Sequence, residues 1–138
     1  MDEYILDACA LIAYYTNEKG ADVVQDIIGK AYFEKGNVSI SNINLLEVFY
    51  DVYKIQGEQE AKDFLQDIVN SPIRIIETIE KQAFIEAGRL KASYRISLAD
   101  SIFLAEILTN EKCIGITADH HEFDIVKEKE NINLLFIR

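Results

Sequence analysis

The sequence predicts an α/β fold: a parallel five-stranded sheet covered by helices on both faces, a three-layer α/β/α arrangement. Two observations carry this expectation. Five short apolar segments recur along the chain, and each is separated from the next by stretches with helical spacing. The segments also read as runs rather than alternations (Ile73-Arg74-Ile75-Ile76 and Cys113-Ile114-Gly115-Ile116-Thr117), as strands buried on both faces do. A chain of 138 residues is the size of one ordinary domain, and no repeat or linker divides it, so residues 1–138 are expected to form a single unit.

The first strand ends at Ile5–Asp7, and Ala8 to about Asn17 follows as a helix of good helix formers closed by Gly20. Residues 21–33 place Val23, Val24, Ile27, Ile28, Ala31 and Tyr32 at helical spacing until Gly36 and Asn37 break the pattern. Val38-Ser39-Ile40 is the second strand. Ser41 or Asn42 then caps a helix through Leu45, Leu46, Phe49 and Val52 to Gly57. Residues 58–69 form an amphipathic helix with Ala61, Phe64, Leu65 and Ile68 on one stripe. Pro72, the only proline, leads into the third strand at Ile73–Ile76. Residues 79–94 are helical with Ala83, Ile85, Ala87 and Leu90 inward. The nearly all-apolar helix 98–108 is expected to be buried on most sides. A fourth strand at Cys113–Thr117, a weakly patterned helix over 119–129 and a fifth strand at Asn133–Ile137 complete the chain.

The net charge of −10 argues against a protein that coats nucleic acid by electrostatics alone. The imbalance is uneven: residues 1–70 carry thirteen acids and five bases, residues 71–138 eleven acids and nine bases. Gly88–Ala99 holds Arg89, Lys91 and Arg95 and no acid, which reads either as a solvated helix face or as a contact for phosphates. No apolar run is long enough to cross a bilayer, and the acidic start Met1-Asp2-Glu3 lacks the character of a signal peptide, so a cytoplasmic protein without membrane contact is expected. Cys9 and Cys113 make no metal-ligand spacing and read as small buried hydrophobes. Tyr14, Tyr15, Tyr50 and Tyr53 read either as core or as a partner surface.

Four acids stand in apolar company. Asp7 and Asp119 fall just after strands, where an α/β sheet places its ligands. Asp100 lies in Ser97-Leu98-Ala99-Asp100, a capping box at the start of an apolar helix. Caps alone account for Asp7, Asp100 and Asp119. Glu47 has no such explanation, because it falls about a turn inside its helix between Leu46 and Val48. If the four converge they repel one another, and a hard divalent cation such as Mg²⁺ or Mn²⁺ removes that cost. Such a site can activate water and neutralise a phosphodiester transition state without histidine. His120 and His121 are adjacent and poorly placed to chelate one ion together.

These residues resemble the motifs of PIN-domain ribonucleases of the VapC toxin type. Leu6-Asp7-Ala8-Cys9-Ala10-Leu11-Ile12 is similar to the first motif, and Ser41-Asn42-Ile43-Asn44-Leu45-Leu46-Glu47-Val48 to the second. Ser97-Leu98-Ala99-Asp100-Ser101 is similar to the third, and Thr117-Ala118-Asp119-His120-His121-Glu122-Phe123 to the fourth. The resemblance spans the chain. It implies strand order 3-2-1-4-5 and a Mg²⁺- or Mn²⁺-dependent endoribonuclease acting on RNA. Asp7, Glu47, Asp100 and Asp119 would hold the metal, with Thr117 in support. A cognate antitoxin and a homodimer are implied as partners. Glu122 and Asp124 leave a further acidic participant unassigned.

Two other functions compete. A receiver-type signalling domain would need a second acid in the first loop, where Ala8-Cys9-Ala10 stands. A catalytically quiet PIN-like interaction module is compatible with everything above except the retention of all four acids.

Overall fold

The computed structural model of the chain describes residues 1–138, all but the side chain of Glu122. The elements run β1 (Asp2–Leu6), α1 (Ala8–Tyr15), α2 (Ala21–Tyr32), β2 (Gly36–Ser41), α3 (Asn42–Gln56) and α4 (Glu58–Asn70). They continue as β3 (Arg74–Ile76), α5 (Lys81–Ser93), α6 (Leu98–Leu108), β4 (Cys113–Thr117), α7 (His120–Glu130) and β5 (Leu134–Phe136). The five strands form one parallel sheet in the order β3-β2-β1-β4-β5, as expected.

Alternation along β1 sorts the core into two layers. Tyr4 and Leu6 pack with Val38, Ile40 and Ile116 against α1, α2, α3 and α4. Ile5, between them, faces α5, α6 and α7 with Cys113 and Leu134. Each layer is centred on buried aromatic rings: Phe64 in the first, and Phe103 stacked on Phe123 at 5.6 Å in the second. Gly115 of β4 lets α6 settle directly on the sheet. A Cβ there would collide with Ile107 and stand 2.8 Å from Leu134 and 3.0 Å from Phe103. The expected burial of α6 holds, with Ile102, Phe103, Leu104, Ala105 and Ile107 all in the core.

Several boundaries differ from the sequence expectation. β1 begins at Asp2 and β2 at Gly36, because Asp2 pairs with Gly36 and Glu3 with Asn37, whose amide donates to the Glu3 carboxylate at 2.8 Å. Polar strand ends of this kind leave no trace in an apolar pattern. Gly36 and Asn37 therefore extend a strand rather than break a helix; the break falls at Glu34, which takes a left-handed φ of 56°. α1 stops at Tyr15, with Asn17 left-handed at φ 53°, a conformation asparagine tolerates. Ile85, Leu46 and Tyr32 are exposed, while Ala83, Ala87 and Leu90 of α5 face inward as expected.

Candidate functional site

Sheet register assembles the site. Leu6 pairs with Ile40 of β2 and with Ile116 of β4. One position further on, Asp7, Ser41 and Thr117 therefore stand in a row across the three central strands, at their carboxyl edge. The Asp7 amide still donates to the Ile116 carbonyl (3.1 Å), after which the chain turns into α1. Asp7 is the α1 N-cap: its Oδ1 accepts from the Ala10 amide at 2.8 Å. Its Oδ2 accepts from the Thr117 hydroxyl at 2.5 Å. Thr117 Oγ1 in turn accepts from the Asp119 amide at 3.0 Å. One buried hydroxyl thus holds both the Asp7 side chain and the main chain that carries Asp119.

The remaining acids come from helix starts. Ser41 caps α3, its hydroxyl accepting from the Asn44 amide (3.1 Å) and the Asn44 carboxamide (2.9 Å), which brings Glu47 in a turn later. Ser97 caps α6, accepting from the Asp100 amide at 3.0 Å. The cap expectation is met for Asp7, and Ser97 does cap toward Asp100; neither role keeps a carboxylate from lining the edge.

Electrostatics couples Asp7 to two of the other acids. Asp7 is 1% exposed, and its carboxyl is raised from 3.8 to about 7, chiefly by burial, with the charges of Asp100 and Asp119 adding to the effect. Only the Thr117 hydroxyl and Ala10 amide work against this, and both are neutral donors. Cys9, in the first turn of α1, is exposed rather than buried as its apolar neighbours suggested. Its thiol is pushed up to about 12, by partial desolvation of the sulfur and then by Asp7, Asp119, Asp100 and Glu47 in falling order. A single atom therefore feels all four acids. Glu47 is raised by burial and then by Asp51.

Among the described residues, no three carboxylate, imidazole or thiol groups lie close enough to chelate one ion directly. This arrangement suits a hard cation that keeps most of its water and takes one or two carboxylates directly. The donor set is entirely oxygen, and Asp7 has no cationic partner among the described residues. An all-oxygen donor set of this kind suits a hard divalent cation such as Mg²⁺ or Mn²⁺.

The basic stretch is narrower than its sequence suggests. The Arg89 guanidinium is bound by Glu86 (2.7 Å) and Glu130 (2.8 Å), and Tyr94 donates to Glu130 at 2.5 Å, so Arg89 ties α5 to the end of α7. Lys91 and Arg95 remain exposed. Asp124 is engaged by His120 at 3.2 Å. Glu122, the other acid near Asp119, has a side chain outside the described residues. A groove of about 590 Å³ lies away from the four candidate acids between α1, α2 and α4, lined by Tyr14, Tyr15, Tyr32, Phe64 and Asp67. Sequence reasoning passed over Asn44, which is wholly buried with its carboxamide oxygen unpartnered. It passed over the exposure of Cys9 as well; Cys9 lies two positions after Asp7 in a turn that starts at the sheet edge.

A sequence model of the PIN domain matches residues 4–129. Several solved structures share the fold. A DNA-bound VapBC from Salmonella typhimurium superposes with a TM-score of 0.75 at 14% identity, covering 100% of both chains. VapBC2 from Rickettsia felis, bound to a DNA fragment from its promoter, gives 0.71 at 20% identity over 97% of this chain and 98% of that one. A toxin–antitoxin complex from Klebsiella pneumoniae gives 0.69 at 19% identity over 98% of both chains. No curated protein matches the chain in sequence.

Proposed function

The chain belongs to the PIN-domain family, and on that premise we propose that it is a Mg²⁺- or Mn²⁺-dependent endoribonuclease, the toxin of a VapBC-type pair. The observation that carries the reading is the buried Asp7 carboxylate, held by two neutral donors while Asp100 and Asp119 press charge upon it. That placement is unfavourable for the protein alone and favourable beside a divalent cation. When bound, the cation supplies charge neutralisation at a phosphodiester and an activated water for hydrolysis.

The protein's own part is positional. Thr117 fixes the Asp7 carboxylate by donation and the start of the Asp119 segment by acceptance. Ser41, held by Asn44, sets the helix start from which Glu47 projects. Lys91 and Arg95 on the approach to the Asp100 helix are the groups that would meet RNA phosphates; Arg89 would brace α7. Removing the four site acids from the count changes −10 to −6, so nearly half of the net charge sits where a cation would offset it. The reading takes residues 1–138 as one domain of a cytoplasmic protein. None of the helices is long and apolar enough to cross a membrane among the described residues.

Two partners follow from the same reading. The aromatic groove between α1, α2 and α4 would seat a cognate antitoxin, and exposed Leu46, Tyr50 and Tyr53 on α3 offer a surface to a second copy of the chain. The structural relatives are themselves complexes of toxin with antitoxin, which supports the first of these. The deciding experiment incubates purified protein with mixed RNA and Mn²⁺ or Mg²⁺, beside Asp7→Asn and Asp100→Asn. Cleavage should require the cation and disappear in both variants. Cleavage that survives chelation or both substitutions refutes the reading, and complete inactivity with intact RNA and added cation favours a quiet interaction module.

A further inference from the structure

The residue after Asp119 sits in a contact network that the four acids do not explain. The His120 ring stacks on Phe136, with centroids 4.1 Å apart and planes 13° from parallel. Its Nε2 lies 2.7 Å from the Arg138 carbonyl, so it donates there, and Nδ1 meets Asp124 at 3.2 Å. Arg138 is anchored in turn to the α1–α2 turn, its guanidinium donating to the Glu18 carboxylate and the Lys19 carbonyl, both at 3.1 Å. Thr16 orients Glu18 by donating to its second oxygen at 2.5 Å. Between these contacts, the Ile137 amide donates to the Thr117 carbonyl at 3.0 Å. Ile137 also packs on Gly20, where φ is +98° and a Cβ would stand 2.8 Å from the Ile137 side chain and carbonyl. Residues 136–138 are therefore clamped from β4, from the α1–α2 turn and from the start of α7.

The two ends of this clamp meet at Asp119. Its amide is fixed by Thr117, and its successor is fixed by the 136–138 segment. A residue pinned on both sides has its Cα–Cβ direction set, and with it the region its carboxylate can reach. We infer that His120 is a positioning residue for Asp119, acting through a latch of Phe136, Arg138 and Glu18 that sets the first turn of α7 against the acidic edge. The inference rests on the metal-nuclease reading above, since it concerns how one of the proposed ligands is aimed. Groups that orient a ligand from behind are worth about 10- to 100-fold in metal affinity or activity when removed.

The test compares Mn²⁺-loaded wild type with His120→Ala, Arg138→Ala and the double variant, measuring Mn²⁺ affinity by calorimetry, kcat and KM on RNA, and Tm. His120→Ala should weaken Mn²⁺ binding and lower kcat, each about tenfold, with KM within twofold and a small change in Tm. Arg138→Ala, which severs the far end of the latch, should move the same two quantities in the same direction. The double variant should be no worse than the poorer single one, because both cut one connection. His120→Phe, which keeps the ring but not the donor, should recover part of the loss. Unchanged Mn²⁺ affinity and kcat in His120→Ala overturns the inference. So does fully additive loss in the double variant, or a fall in Tm without a fall in Mn²⁺ affinity. Wild type that neither binds Mn²⁺ nor cleaves RNA would instead remove the reading underneath it.

Discussion

Asp7→Asn separates the cost of the acidic edge from its use. In the folded chain the Asp7 carboxyl is raised from 3.8 to about 7, mainly because it is buried. Between those values the folded state holds a proton that the unfolded chain has released. Stability is therefore complete below pH 3.8 and is lost as pH rises through about 7. A shift of this size corresponds to about 4 kcal/mol, of which about 3 kcal/mol falls between pH 5 and pH 8. Asparagine still accepts from the Ala10 amide and caps α1, but it matches the Thr117 hydroxyl less well, at a cost of about 1 kcal/mol. Urea unfolding in the presence of chelator should then show the variant more stable than wild type at pH 8 by roughly 2 to 3 kcal/mol, and nearly level at pH 5. Adding Mg²⁺ at about 100 times its dissociation constant should return about 2.7 kcal/mol to wild type and almost nothing to the variant. Wild type and variant profiles that run parallel from pH 5 to pH 8 would refute the argument, because Asp7 would then carry no burial penalty.

Further expectations test the other parts of the site. Thr117→Val keeps the shape but removes the hydroxyl shared by Asp7 and Asp119. It should lower stability by about 1 to 2 kcal/mol in chemical unfolding and reduce cleavage at least tenfold. Cys9, with its thiol pushed up to about 12, should alkylate slowly at pH 8 and several-fold faster with Mg²⁺ present, read by mass spectrometry with buried Cys113 as an internal control. A cation without effect on Cys9 would mean that the ion binds elsewhere. Replacing Lys91 and Arg95 together by alanine should weaken cleavage and reduce the salt-dependence slope by about 1.4, the value for two phosphate contacts on a single strand. Arg89→Ala should leave that slope unchanged and instead cost about 1 kcal/mol, since the guanidinium itself is solvent-exposed and its partners Glu86 and Glu130 are only partly covered.

How much of this was legible depended on whether a residue's reason was local. Strands and helices with apolar cores announced themselves, and so did Glu47, because a charge inside Leu45-Leu46-Glu47-Val48 has no local excuse. Asp7 was visible but ambiguous, since a cap and a ligand look alike within ten residues. What stayed hidden was set by distant partners. Arg89 read as an available cation until Glu130, 41 positions away, closed on it. His120 read only as a poor partner of His121 for chelation, and its stack on Phe136 could not be inferred from either neighbourhood. Strand ends at Asp2 and Gly36 were invisible because pairing, not hydrophobicity, extends them.

The central place of β1 has a consequence for the timing of synthesis. Its two sheet neighbours are β2, made soon afterwards, and β4, made much later; the Asp7–Thr117 bond closes a loop of 110 positions. Asp7 leaves the ribosome first among the four acids and Asp119 last, so no amino-terminal fragment can hold the complete edge. The slow step in such a sheet is the late insertion of the last strands beside one already formed. For a chain proposed to cut RNA, this order keeps the growing polypeptide from presenting all four acids until β4 and the turn after it have been made.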